Sequence, residues 1–124
     1  MTAETAETAW AHLPNAKHID AVLADARKRP GAWDAAWGAA WDAARDAARD
    51  AAQRAARDAA WGAARSAAWG AAWGAIAALV TWDSSADLLD CTPDVLRTMI
   101  DLAEPPVCHQ AALLLPSAIV RFGQ

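Results

Sequence analysis

Residues 33–76 read WDAAWGAAWDAARDAARDAAQRAARDAAWGAARSAAWGAAWGAI, a tetrad of the form x-x-Ala-Ala repeated ten times and followed by WGAI. A repeat of this kind is interpreted first, because it sets the fold of the chain that contains it. Alanine is the strongest helix former, Asp, Arg and Gln are compatible with a helix, and no proline interrupts the stretch. The sequence therefore predicts an all-α fold built around one long amphipathic helix over residues 32–80.

The tryptophans of this predicted helix share one side. A four-residue repeat rotates by about 40° per tetrad on a helix of 3.6 residues per turn. On that wheel the six tryptophans of the repeat lie within about 80° of Trp33, whereas Arg45, Arg49 and Arg57 of the middle tetrads point to the opposite side. Trp is thus replaced by Arg where a straight helix carries the position outward, which favours one continuous helix. We call the tryptophan side the tryptophan face.

A helix of this length cannot bury the tryptophan face within its own chain. At 1.5 Å per residue it is about 70 Å long, roughly twice the width of a compact domain of this size. Two arrangements remain open: the helical bundle is completed by oligomerisation along the face, or the helix kinks at one of its glycines and folds back. The candidate interaction or ligand-binding residues are Trp33, Trp37, Trp41, Ala51, Trp61, Arg65, Trp69 and Trp73.

Arg65 leaves two interpretations open. It lies within the tryptophan face, four residues from both Trp61 and Trp69. In one interpretation its stem packs between the rings by a cation–π contact. In the other, its guanidinium binds the phosphate or carboxylate of a planar ligand stacked on the rings.

Shorter helices are predicted on either side of the repeat, within one domain of residues 1–124. Residues 1–14 are expected to be a flexible or helical N-terminus. Asn15 is predicted to cap a helix over 15–29, and Pro30-Gly31 turns the chain into the repeat.

The C-terminal part, residues 83–122, is predicted to hold short helices that pack against the tryptophan face. Thr92-Pro93-Asp94 is typical of a helix start, with an N-cap and a proline at the first helical position. The following helix carries apolar residues such as Val95 and Leu102 that we expect in the core. Pro116 is expected to kink or divide the last apolar stretch.

Composition excludes several classes of protein. The formal net charge is −4 and the basic residues of the repeat alternate with aspartates, which argues against nucleic-acid binding. The uncharged segment 66–82 is shorter than the roughly 20 strongly apolar residues of a membrane span. The N-terminus has no leader pattern and only Cys91 and Cys108 are present, so we expect a cytoplasmic protein with free thiols.

No catalytic, metal or cofactor site is predicted. His12, His18 and His109 do not combine with Cys91 and Cys108 into any metal-binding spacing. The adjacent Cys108 and His109 point about 100° apart on a helix, and no third group orients them. We therefore predict a protein that is not an enzyme.

Two C-terminal segments carry a resemblance. ALVTWDSSADLLDCTPDVLRTMIDLAE (78–104) and LLLPSAIV (113–120), together with AAWDAAW-type repeats, resemble a group of uncharacterised alanine- and tryptophan-rich proteins of bacteriophages and prophages. Some of these are labelled immunity proteins. The resemblance covers residues 18 to 120 and implies an accessory protein of a mobile element, a setting in which small non-enzymatic antagonists are common.

Three functions follow as hypotheses. The leading one is a non-catalytic, homo-oligomeric binding protein that antagonises a host defence or toxin protein by protein–protein interaction. The alternative is a sequestering protein that captures a small anionic nucleotide in a cleft of Trp and Arg side chains. The third is a membrane-active helix.

Overall fold

The computed structural model describes residues 11–41 and 72–123. These residues form helices joined by turns and contain no strand, so the predicted all-α class is confirmed for them. The elements are α1 (Ala16–Lys28), α2 (residues 30–41, to the last described position), α3 (Trp73–Thr81), a 3₁₀ segment (Asp83–Leu88), α4 (Pro93–Leu102) and α5 (Val107–Phe122). Buried apolar side chains from all five α-helices form one core.

Helix α3 lies at the centre of that core. It contacts α1, α5 and the 3₁₀ segment, and its residues 75–80 are all buried. Ala78, which the helical wheel places opposite the tryptophan face, is as inaccessible as Ile76 on that face. A helix that is apolar on every side is stable only when it is surrounded. The end of the repeat is therefore a buried central helix and not a one-sided amphipathic one.

One straight helix over 32–80 is not shown by the described residues, whose two ends of the repeat contact each other. A Cβ atom added to Gly74 would lie 3.1 Å from Cζ3 of Trp37, so the indole ring of α2 packs directly against the backbone of α3. A straight helix would hold these two residues about 55 Å apart. The described ends of the repeat instead lie side by side, as the folding-back alternative requires. Residues 42–71 lie outside the described residues.

The break between α1 and α2 follows the predicted Pro30-Gly31 signal. Arg29 leaves the helical conformation at φ −132° and ψ 55°, and α2 begins with Pro30. A proline is well tolerated at a first helical position, because the N–H that it lacks has no partner within the helix there. One non-helical residue is thus enough to redirect the chain.

Asn15 precedes α1, as predicted, but it does not cap that helix. Its side chain is buried and accepts no hydrogen bond from the first turn of α1. Its Nδ2 instead donates to the carbonyl oxygens of Leu79, at 3.0 Å, and Trp82, at 3.2 Å. The last carbonyls of a helix lack partners within it. Asn15 therefore ties the start of α1 to the end of α3.

The C-terminal helices begin as predicted. Thr92 Oγ1 accepts a hydrogen bond from the Val95 N–H, with Pro93 at the first position of α4. Helix α5 runs unbroken for 16 residues through Pro116, so the proline does not divide the segment as one alternative proposed. The buried Ser85 of the 3₁₀ segment donates to Gln110 Oε1 of α5 at 3.0 Å, which links the two elements through satisfied polar groups.

Candidate functional site

The start of the tryptophan face is used inside the chain. Trp33 is only 3% exposed, and Ala36 and Ala40, which follow it on the same side of α2, are also buried in the core. The flanking helices do pack against this part of the face. Its first tryptophan is thus a core residue.

Trp41 is different, because it lies at the surface. Its side chain is 47% exposed, and its ring meets that of Trp37 edge-on, with centroids 5.5 Å apart and planes at 70°. Such an edge-to-face arrangement is the favoured geometry of aromatic pairs. Trp37 is in turn half-buried against the core and Gly74. The exposed Trp41 ring therefore packs on Trp37, which is itself held against the core.

The structure brings together only part of the predicted residue set. Trp33, Trp37 and Trp41 follow one another along α2, and Trp73 begins α3. The remaining candidates, namely Ala51, Trp61, Arg65 and Trp69, lie outside the described residues.

An exposed apolar strip on α4 was missed by the sequence prediction, which placed its residues in the core. Leu102 is 80% exposed, Val95 lies on the same side of the helix one heptad earlier, and Val107 at the start of α5 is also exposed. Leu96, by contrast, is buried. The seven-residue spacing of Val95 and Leu102, on the side away from Leu96, is the signal that separates them.

A second feature is a cleft between α1, the start of α2, the 3₁₀ segment and the end of α5, which we call the Asp25 cleft. It encloses about 470 Å³. It is lined by His18, Ala21, Val22, Asp25, Arg29, Trp33, Ala86, Leu89, Asp90, Ser117, Val120 and Arg121.

Asp25 accepts hydrogen bonds from two other residues that line this cleft, Arg29 and Trp33. Its Oδ1 accepts from Nε and Nη2 of Arg29 at 3.0 and 2.7 Å, and its Oδ2 accepts from Nη2 at 2.9 Å. Oδ2 also accepts from the indole Nε1 of Trp33 at 2.8 Å. The break at Arg29 makes this possible, since it brings residues of two successive helices onto one carboxylate.

These contacts lower the pKa of Asp25. Partial burial acts to raise the pKa, but the hydrogen bonds from Trp33 and Arg29 and the charges of Arg29 and Lys28 outweigh it. The pKa therefore lies below its ordinary value, and the carboxylate is ionised at neutral pH. Asp25 thus acts as a fixed acceptor that positions Arg29 and Trp33.

The cleft lining contains a second ion pair. Arg121, near the end of α5, donates from Nη1 to Asp90 Oδ1 at 2.6 Å and to the Leu89 carbonyl oxygen at 3.4 Å. Its guanidinium also lies over the Phe122 ring, 5.2 Å from the centroid. Asp25, Arg29, Asp90 and Arg121 were not among the predicted site residues. Asp25 and Arg29 have the i,i+4 spacing of an ordinary helix ion pair, whereas Asp90 and Arg121 come from different elements.

Other kinds of site have less support in the described part of the chain. Within residues 11–41 and 72–123, no group of three or more His, Cys, Asp and Glu side chains is placed to hold a metal ion. Cys91 and Cys108 are free thiols. No helix within those same ranges has the length and apolar character needed to cross a membrane.

In the described residues, the chain is an all-α protein with a surface-exposed Trp41 and a cleft lined by charged and apolar side chains. Comparison with protein-family models, curated proteins and solved structures finds no match for the chain. The resemblance to phage and prophage proteins therefore stays a prediction.

Proposed function

We propose that this protein is a non-catalytic helical binding protein that acts through protein–protein contacts and first of all binds a second copy of itself. The observation that supports this most is Trp41. Burying the exposed apolar area of a tryptophan is favourable, and tryptophans are among the commonest energetic anchors of protein interfaces.

The contacts of Trp37 also favour Trp41 as an interface residue. Trp37 contacts its ring edge-on and is itself packed against Gly74. An anchor whose neighbours are already fixed loses little conformational entropy when it is covered. Trp41 is therefore suited to insert into an apolar partner surface.

The biological setting is also part of the proposal. The likeness of the C-terminal segments to phage and prophage proteins favours an accessory protein of a mobile element that antagonises a host defence or toxin protein. In that setting a compact helical domain with an aromatic anchor acts by covering a surface of its target. The nucleotide-sequestering alternative stays a prediction, because it depends on Arg65 and its neighbours, which lie outside the described residues. The membrane-active helix also stays a prediction.

Sedimentation velocity over a concentration series tests the self-association. We expect the wild-type chain to dimerise or form a larger assembly, and Trp41→Ala to weaken it by about 2 kcal/mol, or roughly 30-fold in Kd. Phe122→Ala is the matched control, because Phe122 is also 47% exposed but lies at the end of α5. It is expected to leave assembly unchanged.

A further variant separates the two exposed apolar surfaces. Leu102→Ala removes the most exposed side chain of the α4 strip. Loss of assembly in Leu102→Ala but not in Trp41→Ala would assign the interface to α4 and reject the role of Trp41. A wild-type chain that stays monomeric at every concentration would reject self-association altogether.

A further inference from the structure

The Asp25 cleft is lined by both polar and apolar side chains. The apolar part of the lining consists of short and branched side chains, namely Ala21, Val22, Ala86, Leu89 and Val120. The volume of about 470 Å³ falls within the range of roughly 300–1,000 Å³ that is typical of small-molecule sites. The cleft therefore has the size and character of a ligand site.

The carboxylates and the arginines that line the cleft differ in how many hydrogen bonds they still have to offer a ligand. Both oxygens of Asp25 already accept hydrogen bonds from Arg29 and Trp33. Asp90 accepts from Arg121 through Oδ1, and its side chain is otherwise largely in solvent. The carboxylates thus hold the arginines in place, and Asp25 offers little to a ligand.

The two arginines, by contrast, have unused donors. Arg29 binds Asp25 through Nε and Nη2, and its Nη1 donates to no described residue. Arg121 uses only Nη1, so its Nε and Nη2 donate to no residue within the described ranges. The Nε and Nη2 edge of a guanidinium is a fork that matches the two oxygens of a carboxylate.

The Nη1 end of Arg121 is held by its neighbours. It donates to Asp90 and to the Leu89 carbonyl oxygen, and the guanidinium lies over the Phe122 ring. Ser117 precedes Arg121 by one helical turn on α5 and lines the same cleft, as does His18 from α1. A donor that is held before binding loses less entropy when a ligand arrives.

We propose that the Asp25 cleft binds a small amphipathic carboxylate. Its carboxylate group is bound by the Nε and Nη2 edge of Arg121, which donates to no described residue, together with Nη1 of Arg29 from the same cleft lining. Its apolar body contacts Val22, Leu89 and Val120. This inference does not depend on Trp41 or on self-association.

An NMR titration with octanoate tests the proposal in the unmodified chain. Saturable chemical-shift changes are expected at the backbone amides of residues that line the cleft, such as Ala86, Ser117 and Val120. Octanamide is the matched probe, because it has the same apolar body without the charge. We expect it to bind about tenfold more weakly, since hydrogen bonds to a charged acceptor are the stronger ones.

Arginine variants test which side chain binds the carboxylate group of octanoate. Arg121→Gln is expected to weaken octanoate binding by about tenfold or more, and Arg29→Gln to weaken it less. Arg97→Gln is the matched control, because Arg97 also pairs with an aspartate but lies on α4, away from the cleft. It is expected to bind octanoate as the wild-type chain does.

Several outcomes would overturn the proposal. Equal binding of octanoate and octanamide would show an apolar surface without anion recognition. Shift changes outside the cleft lining, or no saturation, would reject the site even if Arg121→Gln failed to fold, because the titration uses the wild-type chain. An equal loss of binding in Arg97→Gln and Arg121→Gln would indicate general charge attraction and not the fork of Arg121.

Discussion

Replacing Gly74 with alanine tests the contact that brings the two ends of the repeat together. Gly74 is the second residue of α3, and a Cβ there would lie 3.1 Å from Cζ3 of Trp37 and 3.4 Å from Cδ2 of Leu113. The first distance is shorter than ordinary van der Waals contact. The neighbouring ring must therefore move by a few tenths of an ångström, although it is already packed against the core and Trp41.

Two effects of opposite sign decide the result. Alanine is a better helix former than glycine by about 1 kcal/mol, which stabilises the variant. Overpacking a filled site costs about 1–3 kcal/mol. We expect Gly74→Ala to be neutral or to lose up to about 2 kcal/mol of unfolding free energy.

Gly38→Ala is the matched control for this experiment. Gly38 occupies the same position of a WGAA tetrad in α2, and nothing lies within 4 Å of a Cβ added there. Only the propensity gain applies, so this variant should be more stable by about 1 kcal/mol. Urea unfolding followed by circular dichroism measures both variants. Equal stabilisation by the two substitutions would show that Trp37 does not pack against Gly74 in solution.

Two further predictions concern the polar contacts of α1. Asn15→Asp should destabilise the chain by about 2 kcal/mol in urea unfolding, because aspartate cannot donate to the Leu79 carbonyl oxygen; an unchanged stability would instead indicate an ordinary N-cap, at which Asp and Asn are equivalent. Trp33→Phe should cost about 1 kcal/mol at neutral pH through loss of the hydrogen bond to Asp25. Because the pKa of Asp25 is lowered in the folded chain, its contribution is complete above the unfolded value of about 3.9 and is lost as the pH falls through the folded value. The stability difference between wild type and Trp33→Phe should therefore shrink below about pH 4, and a constant difference from pH 7 to pH 3 would refute the role of the ionised carboxylate.

Local signals in the sequence predicted the local structure well. In the described parts of the repeat, residues 33–41 and 73–76, the alanine-rich tetrads predicted helix. Pro30 predicted the break after α1, and Thr92-Pro93 predicted the start of α4. Each of these signals acts within one helical turn, where hydrogen bonding and proline geometry dominate. They do not depend on what packs against the element.

Features that depend on tertiary contacts could not be predicted in the same way. The helical wheel assumes a straight axis, so it gave the residues of α3 an outer side, whereas α3 is surrounded. Asn15 has the residue type of an N-cap, yet its partners lie 64 and 67 positions away. The exposure of Leu102 is an exception, because the helical wheel of α4 alone separates it from the buried Leu96.

The contact between Asp25 and Trp33 in the Asp25 cleft had no sequence signal. Asp25 and Trp33 are eight residues apart, and a continuous helix would place them about 80° apart and about 12 Å apart along the axis. The non-helical Arg29 between them allows the 2.8 Å hydrogen bond. Arg121, which also lines the cleft, is 96 residues away from Asp25 in the sequence.

The described ends of the tetrad repeat lie side by side, since Trp37 of α2 packs against Gly74 of α3. Spin labels can measure this directly. Asp34 and Asp87 are exposed and follow Trp33 and Ala86, which line the same cleft. Labels at these positions require Cys91 and Cys108 to be replaced by serine, since both are free thiols.

Double electron–electron resonance on the doubly labelled chain then gives the distance between the two positions. We expect a distribution centred below about 30 Å, because residues 33 and 86 line one cleft whose volume is about 470 Å³. A straight helix over 32–80 would place Asp34 about 70 Å from the end of that helix. A distribution centred at that longer distance would contradict the folded-back arrangement and, with it, the Asp25 cleft.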